Sequence, residues 1–123
     1  MQLTTDEALI RSIIEDESVI QGFNDGERMN DLSSCTFFYE EGVGLFPAMF
    51  KGNLISIHAA IPKKNRGIKA VRAAQGLART LVDAGYELTA RIRYNNKHLK
   101  RFVGMVGFSY QYDKGNYHYY RYM

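Results

Sequence analysis

The apolar residues of this chain change their period at Gly67, and that change limits the fold more than any other feature of the sequence. Before it lie three short apolar, β-rich segments, at residues 35–39, 43–50 and 54–61, parted by the turn-prone pieces Glu40-Glu41-Gly42 and Lys51-Gly52-Asn53. They read as an antiparallel meander. After it, Ala70, Val71, Ala74, Leu77, Ala78 and Leu81 fall on one stripe at a spacing of about 3.6, with Gly85 placed as the C-terminal cap. Residues 86–93 return to a strand pattern. A long helix between two strands of one sheet is a crossover, so the third and fourth strands are expected to lie parallel within a mostly antiparallel sheet.

The flanks complete the order. Thr4 and Glu7 have capping-box spacing, and Leu9, Ile10, Ile13 and Ile14 recur at helical intervals, which predicts a first helix to about Asp16. A shorter helix is expected over residues 23–32. Asn96 opens another that runs to Met105, and residues 108–112 and 117–122 form a hairpin across Asp113-Lys114-Gly115-Asn116. The order is α-α-β-β-β-α-β-α-β-β, an α+β class with a mixed sheet flanked by helices.

With 123 residues, 46% of them hydrophobic, and no repeat or linker, residues 1–123 are read as one domain. A chain of this size buries roughly two-thirds of its unfolded surface, so folding requires neither disulfides nor a structural metal. Cys35 is the one cysteine, and three scattered histidines give no zinc-binding spacing; no metal is expected. No apolar run approaches the length of about 20 residues that spans a membrane, and no signal peptide is readable. A cytoplasmic location is the expectation.

Charge is unevenly distributed. Residues 1–41 carry ten acids and two bases, whereas residues 42–82 carry seven bases and no acid. Either opposite faces of one domain attract each other, or something anionic docks on the basic part. The sharpest candidate is Ile61-Pro62-Lys63-Lys64-Asn65-Arg66-Gly67-Ile68-Lys69: a strand end, a basic loop and the start of the long helix. The first N–H groups of a helix have no partner inside it, and the helix dipole adds about half a positive charge there, so such an end suits a phosphate. The bland alternative is an ordinary turn with solvated lysines.

A second segment, Asn96-Lys97-His98-Leu99 with Gly107-Phe108 eleven and twelve residues after the Asn, follows a strand. Together the two segments resemble the GNAT superfamily of acyl-CoA-dependent N-acyltransferases. There a strand, an R/Q-x-x-G-x-G/A loop and a long helix bind the pyrophosphate of coenzyme A, and a later Asn-x-x-Ala helix ends in Gly-Phe. The resemblance covers the chain from about residue 35 and implies the same order of elements. It places Ile61, Lys64, Asn65, Arg66, Gly67, Ile68 and Lys69 at the coenzyme, with Asn96 on the pantetheine arm. Lys64 stands at the R/Q position, Lys69 where a second Gly or Ala is usual, and Leu99 for the Ala. Val103 occupies the position at which many members carry a Tyr that protonates the departing thiolate.

The resemblance further implies an N-acetyltransferase that moves acetyl from acetyl-CoA to an amine, with N–H groups around residues 59–61 holding the thioester carbonyl. His58, on the third strand, is the base by residue type, although a lone strand histidine is more often structural. Tyr94 and Tyr110 are candidate replacements for the missing acid. Cys35 has no histidine near it and reads as packing. Whether the chain is an enzyme stays open. The rival is a non-catalytic GNAT-fold module of virion assembly, because the chain is similar to compact GNAT-like proteins of tailed bacteriophages. In that case the host cytoplasm or the virion is its place.

Residues 107–123 hold seven aromatics. Simple alternation puts Phe108, Tyr110 and Tyr112 on one face, either as cross-strand packing or as a contact surface for a protein partner. Arg121 and Lys114 are too few to make nucleic acid an expected partner.

Overall fold

The computed structural model describes residues 1–23 and 33–122, whose strands form a single seven-stranded sheet. In chain order the elements are β1 (Gln2–Thr4), α1 (Glu7–Ile14), α2 (Glu17–Gly22), β2 (Thr36–Glu40), β3 (Gly44–Lys51) and β4 (Leu54–Ile57), a short 3-10 turn (Lys63–Asn65), then α3 (Ile68–Asp83), β5 (Glu87–Arg93), α4 (Lys97–Val106), β6 (Phe108–Lys114) and β7 (Tyr117–Tyr122). The sheet order is β1-β2-β3-β4-β5-β7-β6, with β4 and β5 parallel and every other pair antiparallel. The crossover helix thus joins the two strands that the change of period identified, and the α+β class holds.

The differences from expectation lie mostly near the N-terminus. Residues 2–4, too short to show a period, add β1 to the edge of the sheet against β2. Helix α1 is capped by Asp6, whose carboxylate accepts from the Leu9 N–H at 3.2 Å, rather than by Thr4. Thr4 instead accepts from the Asp6 N–H through its hydroxyl. Asp16 ends the apolar run early because its side chain caps a new helix, α2, by accepting from Ser18 N–H. Of the short helix expected over 23–32, only Phe23 lies among the described residues, where it is the C-cap of α2.

Both faces of the sheet are covered where the core is thickest. Residues paired across the ladder share a face, so Phe37, Leu45 and Pro47 lie on one side and Phe46, Ala48, Ile55, Leu88, Ala90 and Ile92 on the other. Helix α1 packs on β3, burying Ile10, Ile13 and Ile14; α3 and α4 pack on each other and on β5 and β6. The six-residue stripe of α3 is buried along its whole length. The antiparallel pairing of β3 with β4 continues past Ile57 in the same register, through His58 N–H to Pro47 carbonyl (2.8 Å) and a reciprocal Leu45–Ala60 pair (3.0 and 2.8 Å). Gly44 permits that approach, since a Cβ there would collide with the Ala60 carbonyl.

In the C-terminal hairpin the expected alternation fails for a definite reason. Tyr110 pairs with Tyr120 but Tyr112 pairs with Tyr119, so one extra residue, Gln111, bulges from β6 and turns Tyr112 to the opposite face. Tyr110 keeps Tyr120 and His118 as edge-on neighbours, while Tyr112 stacks flat on Tyr119 with centroids 4.9 Å apart.

Candidate active site

The sheet has one seam that opens. β4 and β5 are paired only over Leu54–Glu87, Ile55–Leu88 and Ser56–Thr89, although β5 continues to Arg93. Beyond that point β4 stays with β3 and β5 stays with β7, so the two parallel strands part. The alternation of β4 directs the N–H groups of His58 and Ala60 at β3 and therefore that of Ala59 toward the gap.

A narrow cleft of about 40 Å³ fills this gap. Ile57, His58 and Ala59 line one wall and Ala90, Arg91 and Ile92 the other. Its floor is apolar, formed by Leu77 and Ala78 of α3 and by Leu99, Phe102 and Val103 of α4. His58, the candidate base, and Val103 both line this cleft, one from the sheet and the other from α4. Neither Tyr94 nor Tyr110 lines the cleft: Tyr94 is 55% exposed, and the Tyr110 hydroxyl donates to Asp113 at 2.8 Å. Cys35 lies near α1, away from it.

The basic loop is built around Ser18. The Ser18 hydroxyl donates to the Asp16 carboxylate and accepts from the Lys63 N–H at 2.9 Å. Its carbonyl accepts from Arg66 at 2.7 Å. The same guanidinium donates to the Ile61 carbonyl at 3.1 Å and stacks 4.8 Å from the Phe23 ring centroid. Burial lowers the pKa of Arg66, and the charge of Asp16 opposes that shift. The Asp16 carboxylate is itself held below the usual range, first by the Ser18 hydroxyl and further by Lys64 nearby. Asn65 donates to the Val43 carbonyl at 3.2 Å. Arg66 and Asn65 thus fasten the loop to the body of the protein, while Lys63 and Lys64 point into solvent.

Gly67 follows with φ 138° and ψ −160°, a conformation essentially reserved for glycine, and a Cβ there would meet nothing within 4 Å. Among the described residues, no side chain caps α3. Its first helical bond is Val71 N–H to Gly67 carbonyl, so the N–H groups of Ile68, Lys69 and Ala70 meet no acceptor among the described residues. The Lys69 ammonium reaches over the β2–β3 turn, within 2.8 Å of where a Gly42 Cβ would stand. The side chain therefore swings outward rather than crowding the helix start.

Two features escaped the sequence reading. His98 and Arg101, one turn apart on α4, line a groove of about 250 Å³ together with Gly67, Ala70 and Arg66. Their i, i+3 spacing was visible, but not that α4 packs beside the start of α3. Phe102 borders both groove and cleft, which makes them neighbours. Asn96 stands at the same end: its carbonyl oxygen caps α4 at Leu99 N–H (3.1 Å) and its amide donates to the Gly22 carbonyl (3.2 Å). Of the sequence-predicted site residues, Arg66 and Gly67 line the groove and His58 lines the cleft; Asn96 stands at the α4 start, tied to α2, and Ile61, Lys64, Asn65, Ile68 and Lys69 line neither opening.

No protein-family profile matches this chain, and no curated protein sequence does. In three dimensions it is similar to a crystal structure described as that of "a putative phosphinothricin N-acetyltransferase", with a TM-score of 0.63 over 98% of this chain and 93% of the other, at 16% identity. With its seven-stranded mixed sheet and four helices, the chain has a GNAT-like α+β fold.

Proposed function

We propose that this protein binds acetyl-coenzyme A and transfers the acetyl group to an amine. The observation that carries this reading is the parting of β4 from β5 beside an uncapped helix start. The gap offers a thioester carbonyl the N–H of Ala59, and the helix start offers the pyrophosphate three unpartnered donors and the helix dipole. Lys64 adds charge from the loop, and Gly67, Ile68 and Lys69 supply backbone at close range. Arg66, Asn65 and Ile61 hold that backbone in position, while Asn96 fixes the α4 wall along which the pantetheine arm would run. His98 and Arg101 face the same groove.

His58 would take the proton from the attacking amine. The amine nitrogen bonds to the thioester carbon, the C–S bond breaks, and the thiolate leaves. A thiolate with a pKa near 8.5 takes its proton from water when no acid stands beside it. General acid help is worth about 10² to 10⁴ in rate, so Val103 slows the step without preventing it. The 40 Å³ cleft, walled by Phe102 and Ile57, fits an acetyl group better than a bulky acyl chain.

A second reading, a GNAT-fold protein that serves assembly or interaction without catalysis, is favoured by one observation: among the described residues, no side chain lining the cleft carries a hydroxyl. Calorimetric titration with acetyl-coenzyme A and coenzyme A at two salt concentrations separates the two. Micromolar binding that weakens with salt is expected from phosphate contacts. Absence of heat at millimolar ligand, with an unshifted melting temperature, would overturn the coenzyme reading and leave the assembly reading.

A further inference from the structure

Helices α3 and α4 pack on β5 and β6 from the face that carries Ala90, Ile92 and Phe108, whereas α1, on the other face, packs on β3. The second face of β5, β7 and β6 is therefore open, and the strand pairing fixes what it presents. Arg91 stands opposite Tyr119, Arg93 opposite Tyr117 and Thr89 opposite Arg121. The bulge at Gln111 brings Tyr112 and Lys114 to the same side. Arg91, Arg93, Arg121 and Lys114 thus share this face of the three strands with one acid, Glu87, which Arg121 already engages at 3.1 Å. The hairpin by itself holds only Arg121 and Lys114. Arg91 and Arg93 reach them from β5, a strand that α4 separates from the hairpin along the chain.

The rings and the cations are laid together. The guanidinium carbon of Arg91 is 4.4 Å from the Tyr117 ring centroid, and that of Arg93 is 5.6 Å from the same centroid. Tyr112 stacks on Tyr119 at 4.9 Å with the ring planes 7° apart. Because β6 is the last strand of the sheet and Tyr112 is 54% exposed, that stack ends on a ring open to solvent. Arg91 is exposed as well. An open ring and a flat guanidinium are each a platform for a planar base, and every base offers a π-face to them. The surplus of positive charge attracts phosphates and repels a second copy of the same face. An acidic protein would use the charge alone, and a duplex keeps its bases stacked inside; an unpaired strand uses charge and rings together.

We propose that this face binds single-stranded nucleic acid, with bases stacking on Tyr112 and on the Arg91 guanidinium and phosphates drawn to the cations around them. The groove at the start of α3 contains no residue of β5, β6 or β7, so this inference does not rest on the coenzyme reading.

The test is fluorescence anisotropy with a labelled oligothymidylate of about 12 nucleotides, an abasic strand of the same length and a duplex, over a range of salt. The base-bearing strand is expected to bind at least about tenfold more tightly than the abasic one, a comparison made on the parent protein that needs no variant. Tyr112→Ala should lose at least about fivefold on the base-bearing strand and nothing on the abasic one, and Tyr112→Phe should bind like the parent. Arg91→Gln should weaken both strands and lower the slope of log affinity against log salt by about 0.7. Tyr110→Ala, on the opposite face, should keep the parent affinity, with melting temperatures reporting that each variant is folded. Absence of binding at low salt would overturn the proposal, as would a Tyr112→Phe loss as large as that of Tyr112→Ala or an equal loss in Tyr110→Ala. Equal affinity for the abasic strand or the duplex would also overturn it, and would mark a surface that answers to charge alone, as an acidic protein or an anionic membrane requires.

Discussion

Two helix starts stand side by side at one end of the sheet, and they are finished in opposite ways. At α4, Asn96 caps the first turn with its own oxygen and ties its amide to α2. At α3, the preceding residue is a glycine with no side chain, and the donors of the first turn meet no acceptor among the described residues, beside a groove lined by Gly67 and Ala70. Both ends carry the same dipole. What differs is the use made of it: the capped end turns its donors to the fold, and the bare end leaves them without an acceptor among the described residues. The cost of the bare end is carried by the loop before it, where Arg66, Asn65 and Ser18 hold the backbone that no cap holds.

The largest way to break that comparison is to remove the fastening. Arg66→Ala deletes two charged hydrogen bonds to carbonyls and a cation–π contact, for about 3 kcal/mol of stability by chemical denaturation. Arg66→Lys should restore little of it, because an ammonium cannot reproduce the planar fork over Phe23. A loss under about 1 kcal/mol would show that the loop needs no such support.

Next in size, Gly67→Val places a side chain in a backbone conformation costing about 1 to 3 kcal/mol and fills open space before the bare donors. Melting should fall by several degrees, and acetyl-coenzyme A affinity by at least about tenfold. Full affinity in a folded Gly67→Val protein would remove the assigned loop from the site.

At the capped end, Asn96→Ala should cost about 1 kcal/mol, the usual worth of a cap. Asn96→Asp should recover most of it, since the carboxylate still accepts from Leu99 N–H while the bond to Gly22 is lost. If coenzyme affinity falls much further than stability in both variants, Asn96 touches the ligand as well as the helix.

The smallest effect is in pH. The Asp16 carboxylate is ionised more readily in the folded protein, so its contribution is present above the unfolded value near 4 and is lost as the pH falls through the lower folded value. Asp16→Asn should therefore melt below the parent at neutral pH, and the gap should close below about pH 4. A gap that persists at pH 2 would point to the α2 cap itself rather than to the charge.

Much of this was legible in the residues. The stripe of α3, the Asn cap of α4, the meander of β2 to β4 and the parallel pair of β4 and β5 all follow from local period and connection geometry. β1 and α2 did not, because three and six residues are too short to show a period and are defined by what they pair with. The bulge at Gln111 was equally hidden: alternation assumes an unbroken ladder, and only the pairing with β7 decides where an extra residue is tolerated.

The site divides in the same way. The sequence by itself determined that a basic loop with a glycine would precede the crossover helix and that Asn96 would open the next, since these depend on spacing along the chain. Only the tertiary structure decided which cations were available: it turned Arg66 inward onto Ser18 and Ile61, swung Lys69 over Gly42, laid Arg91 over Tyr117, and brought His98 and Arg101 to the groove. The physical reason is that a side chain's charge is written in the sequence, but its partner is whichever acceptor the fold brings within about 3 Å, and those acceptors come from segments far away along the chain.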